Sequence, residues 1–362
     1  TTRSDPVKPA IAKKDTQGIR PEKGFAQEGV VTKDPAALAF ADLQPDDILT
    51  TLAQMEFDCD GRFLALNSYE NRVYQVGIED DAPVVAKFYR PQRWSDAAIQ
   101  EEHEFAIALA AKEIPVVPPS VVDSKTLHHS GHFRLAVYPC HGGRAPELDN
   151  LELQNQLGRL VARIHLEGET ERFEHRPTID IDSYGTSSAD YLLENSFIPE
   201  ENLEAYESVV EQVLDGVQSC YERAGSVAEI RLHGDFHPGN VLVARDQLHI
   251  VDLDDARHGP AVQDLWMFLS GDRDEQTPQL NSLLEGYQMF RRFDARELHL
   301  VEALRSLRIM HYAAWLARRW DDPAFKAAFP WFDSRRYWDD HVLTLREQVA
   351  LMQEAPLEWR DF

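Results

Sequence analysis

Leu232-His233-Gly234-Asp235-Phe236-His237-Pro238-Gly239-Asn240-Val241-Leu242-Val243 is a polar, Gly/Pro-containing loop set between two short apolar segments. It places Asp235 five residues before Asn240. Further on, the apolar run Ile250-Val251 ends in Asp252, followed by Leu253-Asp254-Asp255. Phosphoryl transfer needs these groups at such a spacing. One carboxylate must orient the acceptor hydroxyl and take its proton, while an amide and a second carboxylate hold Mg²⁺ against the nucleotide phosphates. Asp235 is the candidate base, and Asn240 with Asp252 the candidate metal ligands.

The spacing matches the kinase pattern H-x-D-x-x-x-x-N followed by a metal-binding Asp. Two other readings of the loop compete. Asp and Asn beside Pro-Gly are common in plain turns. His233, Asp235 and His237 alternate, so an extended chain could present all three to zinc.

Working outward, a lysine interrupts the apolar run Pro83-Val84-Val85-Ala86-Lys87-Phe88-Tyr89. A kinase uses such a strand lysine on the α- and β-phosphates and fixes it with a helix glutamate. The helix expected over 95–112, with Ser95 as N-cap, offers Glu101, Glu102 and Glu104. Glu102 lies within the apolar stripe of Ile99, Ala106, Leu109 and Ala110, so Glu102 is the expected partner of Lys87. The turn Asn67-Ser68-Tyr69-Glu70-Asn71 stands where a kinase carries its glycine loop but has no glycine. Its backbone N–H groups and the Ser68 hydroxyl remain able to meet phosphate. Tyr138, beside the expected lobe junction at Pro139, is a further nucleotide-binding candidate.

Around these motifs the chain divides in three. Residues 1–35 mix prolines and basic residues with little apolar periodicity and read as a flexible arm. Residues 36–140 read as a small sheet with one helix. Strands are expected at 63–66, 72–78 and 83–89, with 116–122 and 133–138 forming a hairpin. Residues 141–362 read as mainly helical: Leu153, Leu157, Leu160, Val161 and Ile164 fall at helical spacing, and another helix is expected over 298–320. The expected class is α+β, with a small lobe joined to a larger helical one, since a chain this long exceeds one compact core.

Among residues outside the motif, His165 reads as a satisfied core histidine and Asp264 as a brace for the loop. Trp315, Trp320, Trp331 and Trp338 read as helical core. Arg305, Arg308, Arg318 and Arg319 form a basic stripe whose default is surface ion pairing, a docking surface being the alternative.

Lys plus Arg number 37 against 62 Asp plus Glu, a formal charge of −25. Such a field disfavours nucleic acid and anionic membranes as partners, and obliges any ATP site to supply local cations. The three cysteines, Cys59, Cys140 and Cys220, are widely spaced. They suggest no disulfide framework and fit a reducing cytoplasm. No apolar run reaches the roughly 18 residues that span a bilayer, and no secretory leader is apparent. A monomer is expected.

His233-Gly234-Asp235 … Asn240 with Val251-Asp252-Leu253-Asp254-Asp255 resembles the aminoglycoside phosphotransferase/choline kinase group of the protein-kinase-like superfamily. Leu66–Gln75, Lys87-Phe88-Tyr89-Arg90-Pro91, Leu253–Arg257 and Gly259–Trp266 narrow the resemblance to the bacterial stress-response kinases, over roughly residues 40–355. The resemblance implies a bilobed fold, ATP and Mg²⁺. It also implies serine/threonine protein kinase activity with autophosphorylation in stress response. Asp235 would then be the proton acceptor, Asn240 and Asp252 the Mg²⁺ ligands, and Ser68 an ATP contact. The chain lacks Asp-Phe-Gly, and Asp252 and Asp264 lie too close for a long activation segment. The residues alone therefore suggest a small-molecule acceptor such as an amino alcohol, sugar or aminoglycoside. A protein acceptor follows from the resemblance.

Overall fold

A computed structural model describes residues 39–245 and 247–359. The arm expected at 1–35 lies outside the described residues. Helix α1 (Pro45–Gln54) precedes an antiparallel sheet of β1 (Cys59–Ala65), β2 (Arg72–Ile78), β3 (Asp81–Tyr89), β4 (His128–Ser130) and β5 (Phe133–Pro139), in the order β1-β2-β3-β5-β4. Helix α2 (Asp96–Ala111) lies between β3 and β4 in sequence, and Ser95 Oγ accepts from Ala98 N at 3.1 Å as its cap.

Strand alternation sorts the two faces of this sheet. Ala86 and Phe88 of β3, with Leu135 and Val137 of β5, pack with Ile48 and Leu52 of α1. Tyr89 and Ala136 face the other way and pack with Ile99 of α2. Lys87 shares that second face by alternation and pairs in register with Val73 and Ala136. The core lysine is thus set on the α2 side by the same period that buries Phe88 opposite.

One expected strand does not form. Residues 116–122 make only isolated bridges, such as Val116 with Ile250, and β4 is the hairpin partner of β5. Pro115, Pro118 and Pro119 lack the N–H donors that a ladder requires.

The helical lobe begins with α3 (Leu151–Gly168), α4 (Ser187–Glu194) and α5 (Glu200–Ala224). Two small antiparallel strand pairs follow, β6 (Ile230–Leu232) with β9 (Arg257–Gly259), and, between them in sequence, β7 (Val241–Ala244) with β8 (Gln247–Ile250). Helices α6 (Arg273–Gln288), α7 (Val301–Ala317), α8 (Pro323–Ala328) and α9 (Arg335–Leu351) complete it. The helix expected at 298–320 is shorter, because a 3₁₀ turn over Ala295–Leu300 leads into α7. Trp338 is fully buried and Trp315 and Trp320 are half-buried, but Trp331 is 40% exposed and is not core. No helix among the described residues is long and apolar enough to cross a membrane.

Candidate active site

The loop between β6 and β7 carries Asp235 and Asn240. Its shape depends on Gly234, whose φ of +84° suits glycine. A Cβ there would stand 2.1 Å from the Asp255 carbonyl oxygen. Asp264 holds the loop from beneath. Its carboxylate accepts from His233 N at 2.8 Å and Gly234 N at 2.9 Å, and meets His165 Nε2 at 3.3 Å. The other nitrogen of His165 meets the Tyr287 hydroxyl at 2.8 Å, so this histidine is a satisfied core residue. The Gln263 amide donates to Gly234 O at 2.9 Å and completes the brace.

At the far end of the loop a short 3₁₀ turn runs Pro238–Asn240. The register Val241↔Ile250 and the bond from Val251 N to Asn240 O, 3.0 Å, set Asn240 beside the approach to Asp252. The Asn240 amide nitrogen donates to Asp235 O at 3.0 Å. Its oxygen is therefore the end that can serve a cation. Asp252 adopts left-handed backbone angles, φ 64° and ψ 65°, and its side chain stays 52% exposed. An amide oxygen and a half-exposed carboxylate are hard-oxygen donors of the kind Mg²⁺ takes alongside water and phosphate.

The zinc reading fails on geometry. The His233 ring turns inward, with Nε2 3.0 Å from Val251 O. Among the described residues no group of three His, Cys, Asp or Glu side chains is arranged to hold a metal.

Lys87 reaches from the sheet to the acids that follow β8. Its Nζ lies 2.9 Å from Asp252 Oδ1 and 3.3 Å from Asp254 Oδ1. Burial works against the ammonium, yet Asp252, Asp254 and Glu102 together hold its pKa well above the ordinary lysine value. Burial pushes the Asp254 carboxyl up, but Arg93 and Lys87 outweigh it and leave it at about 2.

Glu102 is buried on α2, as its stripe position implies, but its ion pair is with Arg176 at 3.3 Å. The ion pairs of Lys87 go instead to Asp252 and Asp254. The left-handed turn at Asp252 brings both acids up to the lysine. Arg176 meanwhile is fixed by the carbonyls of Ala98, Asp254 and Ala256, within reach of Glu102. Burial raises Glu102 to about 7 against the pull of Lys87 and Arg176.

The other nucleotide candidates, Ser68 and Tyr138, are both half-buried. Ser68 lies in the β1–β2 turn. Tyr138 shares hydroxyl contacts with Tyr89 at 2.9 Å and His103 Nε2 at 3.5 Å. Burial, with Glu102 adding to it, raises the pKa of Tyr138 far above the usual phenol value.

Asp235 meets a cation from an unexpected element. Arg308 of α7 places Nη1 2.7 Å from Asp235 Oδ1. His237 Nε2 is 3.5 Å from Oδ2. Burial raises this carboxyl, but Arg308 and His237 more than reverse it and hold it well below the ordinary aspartate range. The basic stripe thus resolves residue by residue. Arg308 goes to Asp235, Arg319 to Glu70 at 2.6 Å, Arg305 to Glu302 at 3.0 Å, and Arg318 to the Ser187 carbonyl at 3.2 Å. Two of the four serve the cleft.

Sequence reasoning also missed the acid cluster's basic partners. Arg93 binds both Asp254 and Asp255, the latter at 2.6 Å, and Asn71 Nδ2 donates to Asp254 at 3.1 Å. Arg93 lies just past the Lys87–Pro91 string, and only the acidic pair Asp254-Asp255 after Asp252 hinted that cations must come from elsewhere.

A five-stranded sheet carrying an acid-paired lysine, set over a helical lobe with an HGD…N loop and a following Asp, defines a kinase-type phosphotransferase. The chain belongs to the phosphotransferase enzyme family APH, whose model matches residues 62–301. It is 42% identical over 323 residues to Stress response kinase A of Escherichia coli O157:H7, covering 89% of this chain and 98% of that protein. It is 41% identical over 322 residues to serine/threonine protein kinase RdoA of Salmonella typhimurium, covering 89% and 97%. Amicoumacin kinase hAmiN, solved with AMP-PNP, Ca²⁺ and Ami, shares the fold with a TM-score of 0.63 at 18% identity, over 82% of this chain and 94% of that one.

Proposed function

We propose that the chain is an ATP- and Mg²⁺-dependent serine/threonine protein kinase that also phosphorylates itself and acts in bacterial stress response in the cytoplasm. The observation that carries the reading is the meeting of Lys87 from the sheet with Asp252 at 2.9 Å, beside the loop that presents Asp235 and Asn240. In this reading residues 36–140 bind the nucleotide and residues 141–362 present the acceptor. Lys87 neutralises the α- and β-phosphates, and Ser68 and Tyr138 contact ATP. Asn240 and Asp252 would hold Mg²⁺, which when bound neutralises charge on the phosphates.

Asp235 accepts the hydrogen bond of the acceptor hydroxyl. The hydroxyl oxygen bonds to the γ-phosphorus, its proton passes to Asp235, and the bond from that phosphorus to the bridging oxygen breaks, its electron pair leaving with ADP. A carboxylate held far below neutrality is a weak base. That suits a loose transition state, in which positioning the hydroxyl matters more than removing its proton early. The names of the curated relatives support a protein acceptor and a role in stress.

One observation favours a second reading, a small-molecule acceptor. From Asp252 to Asp264 the chain is taken up by a 3₁₀ turn at Leu253–Asp255, β9, and another turn at Ala261–Asp264. No activation segment fits there to dock a peptide. The test is incubation with γ-labelled ATP and Mg²⁺, alone, with a model protein, and with amino alcohols, sugars or aminoglycosides. Label in protein that falls about 10²–10⁴-fold in Asp235→Asn supports the proposal. Faster turnover on a small hydroxyl compound would replace the protein acceptor, and label undiminished in Asp235→Asn would remove Asp235 from its role.

A further inference from the structure

Asp235 has two carboxylate oxygens, and the structure treats them differently. Oδ1 is buried, accepts no hydrogen bond from the described residues, and is ion-paired with Arg308 Nη1 at 2.7 Å. Oδ2 faces His237 Nε2 at 3.5 Å, too long for a firm hydrogen bond. His237 is itself held in place, because its Nδ1 accepts from Gly239 N at 3.0 Å. The Asp235 side chain is 26% exposed and that of Arg308 37%, so the pair borders solvent.

Arg308 comes from α7, an element that contributes nothing to the HGD…N motif. Its face of α7 is built for this position. Tyr312 and Trp315 follow it toward the cleft and stack at 5.6 Å between ring centroids. Tyr184, stacked on His311 of the same helix at 4.1 Å, also carries Arg257 over its ring at 5.2 Å. Arg308 thus stands among fixed neighbours, and among the described residues its ion pair is to Asp235. A free carboxylate on a loop samples several rotamers, and each misplacement costs rate. A guanidinium ion-paired with the buried oxygen restricts that freedom and leaves the other oxygen to accept from the incoming hydroxyl.

We propose that Arg308 is a positioning residue for phosphoryl transfer: it ties Asp235 Oδ1 so that Oδ2 is presented to the acceptor hydroxyl. This rests on the kinase reading above. Arg308 acts through Asp235, makes no demand on ATP, and adds an α7 residue to a machinery otherwise drawn from the loop and the sheet.

The test compares the full chain with Arg308→Met, Arg308→Lys, Asp235→Asn and the Asp235→Asn/Arg308→Met double variant. The readouts are initial transfer of label from ATP and, separately, ATP affinity by fluorescence or calorimetry. Arg308→Met is expected to lower kcat by about 10–100-fold with ATP affinity within about twofold, and Arg308→Lys to recover part of that loss, since positioning effects of this size are ordinary. Because the arginine works through Asp235, Arg308→Met should change the residual rate of Asp235→Asn by less than about threefold, the non-additivity of residues that act as a unit. Two results overturn the proposal: a normal kcat in Arg308→Met, or full additivity in the double variant. If Asp235→Asn is inactive while Arg308→Met is normal, only the positioning role fails. If Asp235→Asn transfers at the parent rate, the kinase reading of Asp235 fails as well.

Discussion

Glu70 of the β1–β2 turn and Arg319, just past α7, meet at 2.6 Å and fasten the small lobe to the large one. The same carboxylate accepts from Trp315 Nε1 at 2.5 Å and lies 3.2 Å from Arg90 Nε. Tyr69 packs against Phe329 beside it, with ring centroids 4.8 Å apart and planes tilted by 57°. The turn that stands in the place of a glycine loop is therefore tied to the lobe it faces. Flexible glycines are replaced by a fixed ionic anchor.

Removing that anchor leaves Arg90, Arg93 and Arg319 crowded around an absent charge. The Glu70 side chain is only 13% exposed, so the loss is that of a largely desolvated partner. Glu70→Ala should cost about 2–4 kcal/mol of unfolding free energy in urea, near the range for breaking a buried pair. It should also weaken ATP binding through the loosened turn. A variant with unchanged midpoint and ATP affinity would show the lobes held by other contacts.

Lys87 gives a sharper functional expectation. Its Nζ is the cation between Asp252 and Asp254, and Met reproduces its length without the charge. Lys87→Met should lower transfer by about 10²-fold or more, as loss of a preorganised charge at a reacting phosphate does. Asp254 keeps Arg93 and Asn71, so the fold should survive, as circular dichroism would show. Transfer near the parent rate would place the phosphates away from β3.

Gly234 tests whether the loop geometry is required. Its φ of +84° and the 2.1 Å approach of a Cβ to Asp255 O leave no room for a side chain. Gly234→Ala should destabilise by about 1–3 kcal/mol from backbone strain alone, with the clash adding to it. Transfer should fall too, because the hydrogen bonds of Asp264 are aimed at the two residues where the loop must move. Unchanged stability and rate would mean that the loop tolerates another path.

The sequence made the lobes and most of the loop legible for specific reasons. Alternation around Lys87 reports a sheet face, and Ser95 reports a helix start, because both are local rules. Asp264 and His165 were read correctly because one buried carboxylate near a tight loop has few alternatives to bracing it. Arg308, Arg319 and Arg93 were not assigned, because their partners lie 73, 249 and 161 or more residues away. A helical arginine looks the same whether it faces water or a carboxylate from another element. Glu102 shows the converse error. Its burial followed from the stripe, but its partner Arg176 lies on a loop with no periodic signal, and the acids that reach Lys87 do so through an unusual backbone turn at Asp252.

Stability should also carry a histidine signature distant from the cleft. His341 of α9 is buried among Tyr206, Tyr337 and Trp338, with ring centroids 6.0, 5.7 and 5.6 Å away. Burial lowers its pKa from 6.5 to about 4. The unfolded chain therefore binds this proton first as pH falls. The stability contributed by the neutral ring is complete above about pH 6.5, drains away between there and about pH 4, and is flat below. At about 1.4 kcal/mol per pH unit the full loss is about 3.5 kcal/mol. His103 and His311, both lowered to about 3 chiefly by burial, act with the same sign and keep some slope in any single variant. His341→Leu should thus start less stable at pH 7.5 but lose less than the parent on going to pH 4.5, measured by urea unfolding at each pH. An equal loss in both proteins would mean that His341 takes up no proton on unfolding in that window.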